Sequence, residues 1–425
     1  MALGAILEPL VVVSLLTFGT IVNRNKSATF SSSPYISSRP VPWQHLKYDK
    51  DPEYDDVESG RPSTDDENAL LRSPASETSI DSDGTLTDES NLNSPWRTRQ
   101  LKVFKWEREV ITPNAAIFKD RFLSRVLQRL PFLAEVWYWA LIYWVYQLGR
   151  AFTAVTLQES TVDTAREHAL QVIHLEQRLG MFIEPAVQRW FLQRPELMRW
   201  TNKTYSFIHI PGTILYLIIL YYVTTARPRQ KIQEENGGRP ISGNWRRLAP
   251  RFGPDTFEKR RRTMAFCNLL AFIVFTFWPC MPPRLLSDPD YNGEFAKEAK
   301  SYGFVDTVHS ADGDSSVWTT NRFCNQYAAM PSLHFGYSFL VGLTIATVPL
   351  RRSGKLGWKR LAIVAIGMIY PAVILTAIVA TANHFILDAV AGAIACLLAW
   401  KFNGLLLNLL PVEDYFLRAV RIAKP

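Results

Sequence analysis

The chain has 425 residues, of which 48% are hydrophobic, and a formal net charge of +8. A soluble protein of this length would form two or three domains, but here the hydrophobic residues gather into long blocks separated by charged loops. Blocks of about 18 apolar residues can cross a bilayer, which argues against a soluble protein. Basic residues that abut such blocks indicate orientation in a membrane rather than nucleic-acid binding, so no nucleic-acid partner is expected.

Three segments precede the predicted catalytic region. Residues 1–22 are apolar, have no basic region before them and are followed by Arg24 and Lys26. This pattern indicates an anchor whose C-terminal end faces the cytosol, not a cleaved signal peptide. Residues 23–95 are rich in Ser, Pro, Asp and Glu, which predicts a disordered acidic tail. Residues 96–131 interleave basic and apolar residues, so this juxtamembrane segment either lies on anionic lipid or is a solvated linker.

The region 132–411 contains six further apolar blocks and is the predicted catalytic domain. Membrane spans are expected at about residues 132–157, 204–225, 263–283, 331–350, 360–381 and 385–410. Between the first two of these, residues 160–200 are amphipathic and predict interfacial helices. The predicted fold is all-α: a polytopic transmembrane bundle with a six-helix catalytic core, an N-terminal anchor and a disordered acidic tail.

The charges of the loops orient these helices. The loops 227–262 and 351–360 and the C-terminus 412–425 are basic, which predicts that they lie in the cytosol. The loop 285–330 is rich in Asp and Glu and is expected on the lumenal or external face. A lumenal site suits the Golgi or the endoplasmic reticulum, and an external site at the plasma membrane fits equally well. The oligomeric state stays open.

Three polar clusters fall at the ends of predicted spans on that face. The first ends at Arg284, the second runs from Asn325 to His334, and the third runs from Asn383 to Asp388. Ionisable residues at a membrane boundary are costly and indicate a functional site by default. Each cluster alone is weak evidence, because an arginine at a membrane edge is usually a snorkelling anchor. Their joint occurrence on one face is what predicts an active site.

The residue types in these clusters fit phosphoryl transfer. His384 and Asp388 have the spacing that places two side chains on one face of a helix, so the carboxylate can hold one imidazole nitrogen protonated and leave the other as a nucleophile. His334 is the predicted general acid. Arg284 offers a planar cation to phosphate oxygens, and Ser332 lies at a predicted helix N-terminus that favours an anion. No metal or cofactor is expected.

The runs NQYAAMPSLHFGYS and TANHFILDAVAG resemble the second and third motifs of the type 2 phosphatidic acid phosphatase superfamily. Together with CMPPR, HALQVIHLEQRLGMFIEPAVQRW and YSFIHIPG, they most resemble its inositol phosphorylceramide synthase-like branch. The resemblance implies that His384 is the nucleophile, Asp388 its orienter and His334 the general acid. It implies that Ser332 and Arg284 bind phosphate, and that phosphoinositol passes from a membrane phospholipid to a ceramide-type acceptor.

The sequence departs from the wider superfamily at two places. Phe277 replaces a lysine ahead of the first-motif arginine, and Ala377 and Ile378 replace a Ser-Arg pair ahead of the third-motif histidine. Further phosphate contacts are therefore expected from three polar residues near the motifs: Arg322, Asn325 and Asn383.

Two other functions stay open at this point. A lipid phosphate phosphatase would use the same catalytic trio with water as the acceptor, and the admission of water would decide between the two enzymes. A non-catalytic membrane scaffold with a degenerate site is favoured by the two departures. Retention of both histidines and the aspartate argues against the scaffold.

Several other residues have less specific interpretations. His209 is expected either to contact a lipid headgroup or to bond a neighbouring helix. Glu176 and Glu184 are interpreted as surface acids of the amphipathic region. Cys280 and Cys324 form a disulfide if both face an oxidising compartment; otherwise Cys280 is a small buried hydrophobe.

Overall fold

The computed structural model describes residues 2–26, 28, 79–80, 86–87, 94–155, 159–205, 209–235, 252–307, 326–350 and 357–425. Helices dominate these residues, which confirms the predicted all-α membrane class. The helices are α1 (Ala2–Val22), α2 (Phe122–Arg129), α3 (Phe132–Val155), α4 (Glu159–Arg178), α5 (Glu184–Leu192), α6 (Pro195–Lys203), α7 (His209–Tyr221), α8 (Arg227–Glu235), α9 (Pro254–Phe277), α10 (Ala296–Ser301), α11 (Leu333–Ala346), α12 (Trp358–Ala380), α13 (Ile386–Phe402) and α14 (Leu410–Val420).

Two of these helices continue into helical turns of another kind. A π-helical stretch, Tyr222–Ala226, joins α7 to α8, and a 3₁₀ stretch, Asn403–Leu409, joins α13 to α14. Three of the described helical segments are long and apolar enough to cross a membrane: His209–Glu235, Trp358–Ala380 and Ile386–Val420. Shorter apolar helices occur at Pro9–Val22, Phe132–Val145 and Leu333–Ala346.

Apolar side chains face outward along these helices, as expected where lipid replaces water. On α3, the exposed residues Trp137, Leu141, Trp144 and Leu148 recur at helical spacing and form one stripe. The span predicted at about 263–283 is shifted in the structure, since α9 runs from Pro254 to Phe277. Its first turns contain four of the basic residues that the sequence assigned to the preceding loop.

Close helix contacts at glycines build the bundle core. A Cβ atom on Gly342 of α11 would lie 2.7 Å from the carbonyl oxygen of Gly367 on α12, and the same distance holds in reverse. Small residues of this kind let membrane helices approach closely and gain van der Waals contact. The N-terminal helix α1 also packs into the bundle, where Val12 shares an apolar cluster with Ile218 and Tyr221 of the α7 region.

A β-hairpin precedes the main bundle and was not predicted. Its antiparallel strands are β3 (Trp96–Val103) and β4 (Trp106–Pro113), paired from Trp96 opposite Pro113 to Val103 opposite Trp106. Two shorter strands, β1 (Ser79–Ile80) and β2 (Leu86–Thr87), also pair with each other. Part of the segment expected to lie on lipid or to act as a linker is therefore a folded hairpin.

Buried charges explain why this basic segment folds. Arg97 and Arg99 alternate with outward residues on β3, and both guanidinium groups donate to the carboxylate of Asp414 on α14. Thr112 of β4 donates to the same carboxylate at 2.8 Å. Arg99 and Asp414 are almost completely buried. Tertiary pairing with a distant acid thus folds a segment whose basic pattern had suggested either lipid contact or a solvated linker.

Replacing Asp414 with Ala should destabilise the protein by about 3 kcal/mol, because it removes the carboxylate on which two buried arginines converge. Thermal unfolding in detergent, followed by tryptophan fluorescence, measures the effect. Glu109→Ala on the exposed side of β4 is the matched control and should change stability by less than about 0.5 kcal/mol. Equal melting temperatures for the two variants would contradict the assigned role of Asp414.

Candidate active site

Backbone hydrogen bonds join the three motifs into one unit. The Cys280 N–H donates to the Tyr327 carbonyl at 2.8 Å, and the Ala329 N–H donates to the Cys280 carbonyl at 3.1 Å. The Arg284 N–H donates to the carbonyl of Ala382, at 2.9 Å, in the turn that precedes α13. The first motif is therefore bonded to the second and third, although more than 40 residues separate it from each.

The N-termini of α11 and α13 lie against each other. Ser332 caps α11, since its hydroxyl accepts from the Phe335 N–H at 3.4 Å, and its own N–H donates to the Asp388 carbonyl at 2.9 Å. A Cβ atom on Gly392 of α13 would lie 2.3 Å from the Ser332 carbonyl oxygen. Only glycine therefore fits where these two helices cross.

His384 lies just before α13 and not within it. Its Nδ1 is 2.8 Å from the Ala329 carbonyl oxygen and 3.4 Å from Oδ2 of Asp388. A carbonyl only accepts, so the hydrogen of this bond is on Nδ1 and the lone pair is on Nε2. The prediction that His384 and Asp388 share one face of a helix is wrong, because the helix begins at Ile386. A turn still brings the carboxylate to the imidazole.

Asp388 also caps its own helix. Its Oδ2 accepts from the Phe385 N–H at 2.9 Å, which satisfies a donor that the helix cannot satisfy internally. The side chain is fully buried, and Oδ1 has no hydrogen-bond partner among the described residues. The main-chain partner of His384 was missed because a carbonyl oxygen leaves no mark in the sequence.

His334 faces His384 at the start of α11. Their ring centroids are 5.7 Å apart, and Tyr205 stacks on His334 with a centroid distance of 4.6 Å. His209 adds a third imidazole at 4.7 Å from His334, and its Nδ1 is 3.3 Å from the Tyr370 hydroxyl of α12. Of the two interpretations of His209, the bond to a neighbouring helix is observed. Its position beside His334 was not predicted.

Arg284 is held by two side chains. Its Nε donates to Oδ1 of Asn383 at 2.9 Å, and its Nη1 donates to Oδ2 of Asp306 at 2.8 Å. The amide of Asn383 donates in turn to the Thr381 hydroxyl at 2.7 Å. Asn383 thus orients the guanidinium group, and its predicted contact with phosphate stays a prediction. Asp306 belongs to the acidic loop, and nothing in its local sequence distinguished it.

A cavity of about 310 Å³ connects these groups with the interior of the bundle. Arg284, Asn383, His334 and His384 line one part of it. The remaining wall is mainly apolar and comes from α1, α3, α7 and α9, including Leu16, Phe132, Val136, Trp139, Ile142, Ile214, Leu217 and Met264. The cavity therefore combines a small cationic and imidazole-rich region with a larger hydrocarbon-like one.

The other predicted site residues lie elsewhere. Ser332 is fully buried and is not part of the cavity wall. Phe277 is 83% exposed, whereas Ala377 and Ile378 are buried in the helix core, so none of these three side chains reaches the cavity. The predictions for Arg322, Asn325 and Cys324 fall outside the described residues.

Glu176 and Glu184 are completely buried, so their interpretation as surface acids is wrong. Each accepts a hydrogen bond from a backbone N–H of α13. A signal for Glu176 was present, because it continues the buried helical stripe of Ala169, Val172 and Ile173. Among the described residues, no three His, Cys, Asp or Glu side chains are grouped so as to hold a metal ion.

The family model of the PAP2 superfamily matches residues 170–233 and 248–402, which together make up just over half of the chain. The chain belongs to the PAP2 superfamily. The matched residues include Arg284, His334, His384 and Asp388. PAP2 membership and the apolar helices support an integral membrane enzyme, a phosphatase or phosphotransferase that acts on lipids. No curated protein and no solved structure matches the chain.

Replacing Gly392 with Ala should lower the activity of this PAP2 enzyme on lipid phosphates by about 100-fold, because the added methyl group forces apart the helix ends that carry Ser332 and Asp388. Gly404→Ala is the matched control, since no atom lies within 4 Å of its added Cβ. Initial rates of purified variants in mixed micelles measure the difference. Similar rates for the two variants would show that the close contact is not required.

Proposed function

We propose that the chain is a lipid phosphotransferase that moves phosphoinositol from a membrane phospholipid to the hydroxyl of a ceramide-type acceptor, through a phosphohistidine at His384. One observation carries this proposal: Arg284 and both motif histidines line the same cavity as a mainly apolar wall. Such a cavity fits an amphiphile with a phosphate beside the polar side chains and an acyl chain along the wall.

In the first step, Nε2 of His384 attacks the phosphorus atom of the donor. The phosphorus–nitrogen bond forms, the bond from phosphorus to the diacylglycerol oxygen breaks, and His334 gives that oxygen a proton. The hydrogen bond from Nδ1 to the Ala329 carbonyl keeps the lone pair on Nε2 before attack. The nearby Asp388 carboxylate stabilises the positive charge that develops on the ring.

In the second step, His334 takes the proton of the acceptor hydroxyl and its oxygen attacks phosphorus. The phosphorus–nitrogen bond breaks, and His384 returns to its starting form. The same two imidazoles serve both steps because the second is the reverse of the first with a different alcohol. Their ring centroids are 5.7 Å apart, which supports both imidazoles acting on one bound phosphate group.

Arg284 supplies the fixed positive charge of this mechanism. Phosphoryl transfer spreads negative charge over the equatorial oxygens, and preorganised donors stabilise that charge. Asn383 fixes the direction of the guanidinium group by its bond to Nε. The substrate phosphate then shares or replaces the contact that Nη1 makes with Asp306.

The choice of phosphoinositol and ceramide rests on the resemblance of the sequence motifs to the inositol phosphorylceramide synthase-like branch. The positive-inside pattern supports a site on the non-cytosolic face, whether in the Golgi or endoplasmic reticulum or at the plasma membrane. Hydrolysis is the competing outcome, and it requires water to reach the phosphohistidine. The largely apolar cavity wall favours a lipid alcohol over water as the acceptor.

His384→Ala should lower the transfer of radiolabel from phosphatidylinositol to ceramide by about 10³-fold or more, because it removes the nucleophile. The purified full chain is assayed in mixed micelles, and phosphatidic acid is supplied in a separate reaction. His174→Ala is the matched control, since this imidazole is half-exposed and pairs with Glu298 on the surface. The control should retain wild-type activity.

Label on ceramide that depends on His384 would support the proposal. Phosphate release from phosphatidic acid, with no transfer to ceramide, would replace it with a lipid phosphatase. Equal activity of the wild type and the His384 variant on either lipid would overturn the assigned mechanism.

A further inference from the structure

A pair of buried acids lies behind the catalytic histidine. Glu176 of α4 and Glu184 at the start of α5 have no exposed surface, and neither belongs to the three sequence clusters. The Leu387 N–H donates to Oε1 of Glu176 at 2.8 Å, and the Ile386 N–H donates to Oε1 of Glu184 at 2.9 Å. These are first-turn donors of α13, which the helix itself leaves unsatisfied.

The remaining oxygens of the two carboxyl groups must be satisfied in another way. Oε2 of Glu176 and Oε2 of Glu184 are buried and accept from no donor in the described part of the chain. The two carboxyl groups lie next to each other, because they accept from the N–H groups of the consecutive residues 386 and 387. Two ionised carboxylates are acceptors only and repel one another, whereas one proton between them would satisfy both free oxygens.

We propose that Glu176 and Glu184 share one proton and together act as positioning residues, holding the first turn of α13 so that His384 and Asp388 face the substrate. The inference rests on the proposed role of His384. Asp388 satisfies the Phe385 N–H, and the glutamates satisfy the next two N–H groups along the chain. Three acidic side chains thus fix three consecutive backbone donors directly after His384.

The surroundings favour the shared proton. Burial raises the pKa of Glu176 to about 9, and the hydrogen bond and charge of Glu184 and the charge of Asp388 act in the same direction. The hydrogen bond from the Leu387 N–H acts against this rise. The titratable groups facing the pair are Asp388 from α13 and the Cys280 thiol from the first motif. Loss of the proton would place a further negative charge among them.

The proposed proton makes the stability of the protein depend on pH. Glu176 keeps its proton in the folded protein up to about pH 9, whereas its ordinary pKa is 4.5. The folded state therefore binds more protons than the unfolded state between these values, and the free energy of unfolding falls as pH rises through this window. A glutamine at position 176 has no such proton and removes this contribution.

The test compares Glu176→Gln, Glu176→Ala and wild type, with exposed Glu167→Gln on the same helix as the control. Glutamine keeps an oxygen for the Leu387 N–H and offers an N–H to Glu184 in place of the shared proton. At about pH 7 we expect its kcat within about 3-fold of wild type. Alanine loses both contacts and should lower kcat by about 100-fold, with little change in KM.

The pH profile separates positioning by a shared proton from a purely structural role. The kcat of wild type should fall above about pH 9, whereas that of Glu176→Gln should persist to higher pH. A glutamine variant that is folded but as inactive as alanine would overturn the proposal. The proposal would also be overturned if the kcat of Glu176→Gln fell above about pH 9 in the same way as that of wild type.

Thermal unfolding against pH gives a second readout that needs no substrate. The melting temperature of wild type should fall more steeply between about pH 6 and pH 9 than that of Glu176→Gln. If wild type turns over no lipid donor, the proposed function fails. The melting temperatures still show whether Glu176 and Glu184 share a proton. Parallel curves for the two proteins would show that no proton is shared.

Discussion

The hydrogen bond between Nδ1 of His384 and the Ala329 carbonyl is the contact on which the site depends. It joins the third motif to the second and selects the nitrogen that carries the lone pair. The Ala329 N–H in turn bonds the first motif through the Cys280 carbonyl. One main-chain segment therefore sets both the tautomer of the proposed nucleophile and its distance from the arginine. The rest of the site is arranged so that this segment and the start of α13 stay in place.

Buried charge explains much of the surrounding architecture. An unpaired ion is costly in an apolar interior, and the described buried ions have partners that also fix geometry. Arg284 meets Asp306 and Asn383, and Arg99 meets Asp414. The same constraint accounts for the proposed proton between Glu176 and Glu184. Each group is held where its contacts are satisfied.

The sequence predicted the helical membrane class and most helix positions, because long apolar blocks mark membrane helices without any knowledge of tertiary contacts. It also grouped Arg284, His334 and His384, since all three adjoin span ends with the same predicted orientation. These three side chains line one cavity in the structure. Their roles in catalysis stay predictions.

Other features depended on contacts between distant residues and could not be predicted. The hairpin requires Asp414, which lies more than 300 residues after β3. The bond between Asn383 and Arg284 forms only because the fold brings the first and third motifs together. Helical spacing does not apply at His384, because this residue precedes α13 and a turn brings it to Asp388. The burial of Glu176 could have been predicted, because this residue continues a buried stripe on α4. Nothing in the sequence indicated that Glu184 on α5 would lie beside it.

The most direct test of the account is to trap the covalent intermediate. Wild-type enzyme is mixed with phosphatidylinositol labelled in the inositol phosphate, without acceptor, and is quenched in base, which preserves phosphorus–nitrogen bonds. Mass spectrometry then maps the label. The account predicts inositol phosphate on His384 that is lost when ceramide is added. Turnover without any labelled histidine, or label on His334 instead, would contradict it.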